Sequence, residues 1–522
     1  MGNDNRGIRL LKQGKKGLLR VIFSRTGIVT VLILSQAFFM FSMVYWLRDY
    51  LPHLMWTTTA FTLIMIIYLL NNRMNPTAKI TWLILIMLAP LFGAFMLWYT
   101  RSELGHRALR GRVMNLIRET DTLIAQDQDV VDKLAEDKPE AVTLARYINR
   151  SGCYPVYDNT KATYFSSGEE KFEEVLKQLE KAKHFIFMEY YIIDEGLMWG
   201  KILEILARKV EEGVEVRVMY DGTCEYTTLP RDYPQRLAKL GIKCKVFAPA
   251  TPFVSTHYNY RDHRKILVID GHTAFNGGIN LADEYINEVE RFGHWKDTAV
   301  MIKGDAVKSF TLMFLQMWSI EEKNPEFKKY LEYDTKAEEA EGFVIPYGDC
   351  PLDDDKLGER VYMDILNRSH KYVHIMTPYL ILDGELETAI KFAAERGVEV
   401  SIILPGIPDK KAVNALAKTH YKSLLESGVN IYEYTPGFVH AKVCVSDDVN
   451  AVVGSINLDY RSLYHHFECA TYMPGVSCIK DIEKDFQETV AKCTHVTAET
   501  IKKEKIAVKV TGVLLKAIAP LL

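Results

Sequence analysis

The sequence predicts two tandem α/β domains behind an N-terminal region of membrane-spanning helices, and three observations carry that prediction. Three long stretches without a formal charge lie between residues 26 and 100, a strand, helix, strand succession recurs 184 residues apart, and a polar motif recurs 177 residues apart.

Whole-chain averages conceal this division. Of 522 residues, 25% are charged and 48% hydrophobic, with a net charge of −3, which alone describes an ordinary soluble protein. Residues 1–100, however, hold ten Lys/Arg against two Asp/Glu, net +8, and the other 422 carry 54 against 65, net −11. Such an acidic body argues against non-specific nucleic-acid binding, which needs clustered Lys/Arg to displace counterions. Ample aromatics with 31 Gly and 18 Pro in a long chain exclude fibrous, disordered and small disulfide-stapled classes.

The charge-free stretches run for 22 residues after Arg25, 23 after Asp49 and 21 after Lys79. Each is long enough to cross a ~30 Å hydrocarbon core at ~1.5 Å per helical residue. They predict spans at about 27–47, 51–71 and 80–100, a transmembrane region over 27–100 that follows a basic arm at 1–26. Trp46, Trp56, Trp82, Trp98 and Tyr99 stand near the span ends, where amphipathic rings favour the headgroup level. Pro90 and Gly93 interrupt the third span, which neighbouring groups can accommodate by satisfying the freed carbonyl. The first stretch is too long for a signal-peptide core and runs into Leu47-Arg48-Asp49-Tyr50 instead of a small-residue cleavage site. The predicted location is therefore the cell membrane, multi-pass. Seven Lys/Arg in the first 26 residues favour a cytoplasmic N-terminus, while Arg101, Arg107, Arg110 and Arg112 pull the other way, so the side that the body faces stays open.

A polar helical connector at 101–145 leads into the α/β body. Phe185–Ile193 reads as a buried strand, Met198–Glu211 as an amphipathic helix and Val214–Tyr220 as a second strand ending at Asp221-Gly222. The succession returns as Tyr372–Leu382, Glu385–Arg396 and Val398–Leu404, and Gly213-Val-Glu-Val matches Gly397-Val-Glu-Val. A self-match at this period indicates duplicated domains, not a solenoid of short repeats. The domains are placed at 146–332 and 343–510, joined by the acidic, core-poor stretch 333–342 and followed by an amphipathic tail at 511–522. Eight cysteines form no C-x-x-C, so a zinc site has no support; scattered free thiols are the reading, and the even count would also permit disulfides if the body faces an oxidising side.

The chemical signal lies inside the repeat. His263-Arg-Lys265-Ile-Leu-Val-Ile-Asp270 is followed by Gly277-Gly278-Ile-Asn280, and His440-Ala-Lys442-Val-Cys-Val-Ser-Asp447 by Gly454-Ser455-Ile-Asn457. Both copies obey H-x-K-x4-D-x6-G-[GS]-x-N. On an extended strand, residues i and i+2 face the same side, so each His projects with its Lys. A neutral His can act as a nucleophile, a protonated one can donate to a leaving group, and an ammonium can neutralise a phosphoryl oxygen. The Gly-rich turn lets backbone and Asn amide approach that oxygen. His257, Tyr258 and Asn259 read as pocket rim, and His465 and His466, adjacent on a strand, point to opposite faces and so do not pair as metal ligands.

The twin motif resembles that of the phospholipase D superfamily, over about residues 140–510. Within it, the membrane region with Trp82, Pro90, Gly93 and Tyr99, the segment Asn259-Tyr-Arg-Asp-His-Arg-Lys265, Thr377-Pro-Tyr379 and Asn457-Leu-Asp-Tyr-Arg-Ser462 resemble bacterial cardiolipin synthases. Two departures are visible: a basic arm with an extra first span, and His465-His466 where many relatives have Asn before the Phe-Glu. The resemblance implies two α/β/α halves related by a pseudo-twofold, with both motifs meeting in one site. It further implies a phosphohistidine on His263, with His440 as acid and base. Lys265, Lys442, Asn280, Asn457 and the turn residues Gly278 and Ser455 would bind the phosphate. Asp270 and Asp447, members of the catalytic motif, read as supports that orient it, since a carboxylate beside the phosphate would repel it. Asp297 and Glu468 are the candidates for fixing each histidine's other nitrogen.

The implied reaction moves a phosphatidyl group between two phosphatidylglycerol molecules, with membrane lipid as partner and neither metal nor nucleotide required. The alternative is a membrane-bound phospholipase D, or a phosphatidyltransferase, with water or another alcohol as acceptor. A nuclease is disfavoured by the acidic body, and a non-catalytic scaffold by the four intact His and Lys positions. For the stretch Val508–Leu522, an interfacial contact and a core-packed terminal helix both remain open.

Overall fold

The computed structural model describes residues 51–101, 107–249, 260–333, 338–353 and 355–521. The basic arm, the predicted span at 27–47 and the residues His257, Tyr258 and Asn259 lie outside the described residues. The chain divides into two compact units, one of which contains Arg107–Val513, the other holding 51–101 with 514–521 among its described residues.

In the smaller unit, α1 (Leu51–Leu70) runs through the second charge-free stretch. The third stretch is two helices, α2 (Pro76–Leu88) and α3 (Pro90–Arg101). Proline cannot supply the amide that would continue the ladder, and the chain breaks at Ala89. A Cβ on Gly93 would lie 2.9 Å from the Ile86 Cα, so the two helices meet face to face with no room for a side chain. At 13 and 12 residues each is about 20 Å long, short of the ~30 Å hydrocarbon core. This corrects the expectation of a single helix over 80–100. Among the described residues no helix is long and apolar enough to cross a membrane. Trp82 is a second correction: it is buried with Leu69, Ile86 and Leu97 in a small helical core, whereas Trp56 and Trp98 are exposed.

The first half of the larger unit contains β1 (Thr160–Phe165), α4 (Gly168–Glu180), β2 (Phe185–Tyr190), α5 (Leu197–Glu211), β3 (Glu215–Asp221), β4 (Lys243–Phe247), β5 (Arg261–Asp262), β6 (Lys265–Ile269), β7 (Thr273–Gly277), β8 (His294–Lys296), β9 (Ala299–Gly304) and α6 (Val307–Trp318). Its second half contains β10 (Ile345–Asp349), β11 (Tyr372–Met376), α7 (Gly384–Glu395), β12 (Glu399–Pro405), β13 (Asn430–Tyr434), β14 (Gly437–Val439), β15 (Val443–Ser446), β16 (Asn450–Gly454), β17 (His466–Pro474) and β18 (Cys493–His495), and α8 (Ile506–Lys516) begins in it and ends with three residues of the smaller unit.

The duplication is complete at the level of the sheets. One is ordered β1-β9-β7-β6-β2-β3-β4 and the other β10-β17-β16-β15-β11-β12-β13, with β18 added at its edge. In both, the β2/β3/β4 and β11/β12/β13 ribbons are parallel and the remaining neighbours antiparallel. The halves share one apolar core, in which Phe187, Phe310 and Phe314 join Ile345, Tyr347 and Val373. Fully burying each such side chain contributes about 1.5–3 kcal/mol.

Two predicted strands end early, and for the same reason. Phe185–Ile193 leaves the sheet after Tyr190, and Tyr372–Leu382 after Met376. Beyond those points the chain makes single bridges, Ile193 to Leu281 and Leu380 to Leu458, each joining the turn that follows a motif strand. In the 333–342 stretch, Tyr333 and Glu338 rest on the first half, the Tyr333 ring 5.4 Å from that of Phe185 and Glu338 N donating to Asn159 O, while Gly342 lies against Gly475 of the second. All eight cysteines are free thiols.

Candidate active site

Neither motif histidine lies within a regular sheet strand. His263 follows β5 and His440 follows β14, and these short strands cross between the halves. β5 pairs in parallel with β17, Arg261 beside His466 and Asp262 beside Phe467. β14 pairs in parallel with β8, Gly437 beside His294 and Val439 beside Lys296. His263 N donates to Phe467 O at 2.9 Å, and His440 N to Lys296 O at 2.7 Å. Continuing each register by one residue sets His263 against Glu468 and His440 against Asp297.

The side chains complete what the register begins. His263 Nδ1 lies 2.9 and 3.0 Å from the Glu468 carboxylate oxygens, and His440 Nδ1 lies 2.6 Å from Asp297 Oδ2. Each histidine thus takes its carboxylate from the opposite half. Both carboxylates are wholly buried. With Nδ1–H donating to a carboxylate, Nε2 keeps its lone pair. Lys442 Nζ is also 2.9 Å from His440 Nδ1, but that nitrogen cannot donate and accept at once, and the shorter contact assigns its proton to Asp297. Lys265 and Lys442 donate to the backbone carbonyls of His263 and His440, which holds each ammonium beside its histidine.

The site is an island of buried basic groups. Burial lowers His263 well below the ordinary histidine value, with repulsion from Lys265, Lys442 and His440 adding to it. His440 is pushed down to about 4, again chiefly by burial and then by Lys442, with Asp297 opposing. Burial brings Lys265 to about 8 and Lys442 to about 7. Because His263 feels Lys442, and Lys442 feels both Lys265 and Glu468, the two motifs share one electrostatic environment. An anion among these groups would oppose every one of the shifts by giving each cation a partner.

The structure redistributes several expected tasks. Asp270 accepts from the amides of Lys183, His184 and Phe185, and Asp447 from those of His370, Lys371 and Tyr372, all at 2.8 Å. These bonds tie each motif strand to the entrance of β2 or β11. At ~3.3 Å per residue that is about 20 Å from the histidine, so neither aspartate belongs with the reacting groups.

Gly278 and Ser455 lie against the carboxylates. A Cβ at Gly278 would fall 2.2 Å from Asp297 Oδ1, and Ser455 Oγ donates to Glu468 Oε2 while accepting from Cys469 N. Asn280 accepts from Ile192 N at 3.1 Å and donates to the Tyr285 hydroxyl at 2.8 Å, so it shapes the wall and keeps one amide proton for other use. Asn457 bonds Asp459, while its Oδ1 is buried without a partner.

Other contributors carry no sequence signal. Lys171 reads as one charge in the polar run Gly168-Glu-Glu-Lys-Phe-Glu-Glu, yet it is buried, donates to Ile279 O at 3.3 Å and is lowered to about 7, mainly by burial. Tyr191 packs edge-on against His263 at 4.8 Å, and Tyr285 and Trp295 each lie 5.4 Å from His440. Arg264, an unconstrained position of the motif, donates to Glu468 O at 3.2 Å.

Comparison with known proteins agrees with this geometry. The family described as "Cardiolipin synthase, PLD-like domain" matches residues 175–318 and 362–490, just over half of the chain. The chain is 33% identical to a cardiolipin synthase of Geobacillus sp., over 87% of this chain and 90% of that one. It is 30% identical to cardiolipin synthase 2 of Bacillus anthracis, over 89% and 90%. An uncharacterized protein of Streptococcus mutans is 59% identical, over 88% of this chain and 99% of its own length. A crystal structure of phosphatidylserine synthase from Haemophilus influenzae shares the fold, with a TM-score of 0.55 at 16% identity, covering 73% of this chain and 97% of that one. The named synthases among these relatives are phospholipase D-like phosphatidyltransferases, and the chain is of that class. Within that class, the chain belongs to the cardiolipin synthase family.

Proposed function

We propose that the chain is a cardiolipin synthase, transferring the phosphatidyl group of one phosphatidylglycerol to the free glycerol hydroxyl of a second. The observation that carries this reading is the crossed arrangement: two histidines, each oriented by a carboxylate of the opposite half, flanked by buried lysines in one site.

His263 Nε2 attacks phosphorus while the bond to the leaving glycerol oxygen breaks, and His440 gives that oxygen its proton. The acceptor's hydroxyl then returns a proton to His440 as its oxygen displaces His263 from phosphorus. Lys265 and Lys442 hold the non-bridging oxygens as charge shifts. One phosphodiester replaces another, so the covalent intermediate stores all that the second step needs. His440 stays unprotonated in the free site because of burial, and the substrate's own phosphate charge raises its affinity for the proton it must donate.

A lipid substrate also fits the surfaces outside the site. Leu63, Ile64, Ile67 and Leu70 of α1 are each more than half exposed, as are Phe95 and Trp98 of α3. On α8, Ile506, Val510, Val513 and Leu514 form an exposed apolar stripe beside Lys505, Lys509 and Lys516. We read these as membrane-facing, with the chain resident in the cell membrane and phosphatidylglycerol drawn from it.

The test is to supply the purified protein with phosphatidylglycerol in vesicles and resolve the products. Cardiolipin and glycerol in equal amounts support the proposal. Phosphatidic acid alone would make water the acceptor and overturn it.

A further inference from the structure

His466 has no task in this chemistry, yet it stands beside the proposed nucleophile. It is 6% exposed, and neither ring nitrogen has a hydrogen-bond partner. His465 is not on the strand as expected but caps the short helix Tyr460–Tyr464 before β17; on β17 the residue sharing a face with His466 is Glu468, two positions on. The His466 ring lies 5.3 Å from that of His263, and its Nδ1 is 3.7 Å from Glu468 Oε1, the oxygen that His263 Nδ1 approaches at 2.9 Å. One ligand atom from each of His263, His466 and Glu468 falls within 4.8 Å of the others.

We propose that His263, His466 and Glu468 form a binding site for a zinc-like divalent cation, and that the ion is an inhibitor, not a cofactor. Two imidazole nitrogens and a carboxylate oxygen are a ligand set that such ions take at ~2.0–2.2 Å. Tetrahedral bonds of that length separate ligand atoms by about 3.4 Å, a value bracketed by the 2.9 and 3.7 Å separations. His466, whose ring nitrogens have no hydrogen bond, gains a partner in the ion.

The inhibition rests on the proposed phosphatidyl transfer and follows from the tautomer. An ion on Nδ1 of His263 takes that lone pair, so the ring's single proton resides on Nε2. The nitrogen that would attack phosphorus then has no lone pair. Glu468, now a metal ligand, no longer accepts from Nδ1. No bond to substrate forms, and removing the ion restores the Nδ1–H tautomer.

The experiment uses the full chain in detergent, without lipid, and Co²⁺ as the probe, since cobalt in a four-coordinate nitrogen and oxygen site shows visible d–d bands. The wild-type protein should show those bands and lose them when Zn²⁺ is added. His466→Asn should lack them, whereas His465→Asn, altering a neighbour that is not among the three ligands, should keep them. A thermal unfolding curve for each variant identifies a folding defect. In the transfer assay each protein is compared with its own metal-free rate: zinc should suppress wild type and His465→Asn reversibly on adding a chelator, but not His466→Asn. Absent cobalt bands in wild type, or equal bands in a folded His466→Asn, would overturn the site. Because cobalt binding is read without substrate, the site and the transfer reaction fail independently.

Discussion

At the scale of single residues, the carboxylates do the positioning and their neighbours keep them in place. Glu468→Gln and Asp297→Asn preserve shape but remove the charge that fixes the Nδ1–H tautomer. Transfer should fall by ~10²–10⁴-fold in either, measured as cardiolipin formed per folded molecule. Gly278→Ala should be nearly as damaging although no reacting group changes, because the new Cβ collides with the Asp297 carboxylate that holds His440. Wild-type activity in Gly278→Ala would show that Asp297 can move without consequence. Burial and surrounding cations lower His263, so the free site keeps the proposed nucleophile unprotonated well below the usual histidine range. The acid limb of kcat/KM should therefore lie below pH 6.5, and a limb at or above 6.5 would contradict the assignment.

At the scale of elements, Asp270 and Asp447 set the motif strands in register with β2 and β11. Asp270→Ala and Asp447→Ala each remove three charge-assisted amide bonds. The expected loss is about 2–4 kcal/mol of stability, seen as a lower unfolding midpoint, with activity per folded molecule changed only a few-fold. An abolished rate in a fully stable variant would restore them to the reacting groups.

This scale also shows where the sequence is legible. The βαβ units at Phe185 and Tyr372 announce themselves through apolar runs and the matching Gly-Val-Glu-Val turns, and the twin motifs through their fixed spacing. The crossing strands do not. Arg261–Asp262 and Gly437–Val439 are too short for any periodicity, and their partners lie about 140 to 205 residues away in the other half. So Asp297 and Glu468 could be named as candidates from local context, but which histidine each serves is a property of the fold. Lys171 was hidden by its polar neighbours, and the break at Ala89 by a stretch apolar enough for one continuous helix.

At the scale of the whole molecule, the near-neutral total charge conceals an acidic body that concentrates positive groups at one point. Burying histidines there costs stability in acid. His440 and His466 hold their protons only near pH 4 in the folded chain, because of burial, whereas the unfolded chain binds them near 6.5. Their contribution is fully present above pH 6.5 and is lost as pH falls toward 4, by up to about 1.4 kcal/mol per pH unit for each histidine. The unfolding midpoint should decline across that window, and less steeply in His440→Asn; identical profiles would remove His440 from the cause.

In the proposed reaction the two halves supply one site, and His263 is its covalent carrier. The most direct test is to mix the protein with phosphatidylglycerol, quench in base to preserve phosphohistidine, and map the modified peptide by mass spectrometry. A phosphatidyl adduct on His263 that disappears when excess phosphatidylglycerol is turned over to cardiolipin is the predicted result. An adduct on His440, or turnover through no adduct at all, would contradict it.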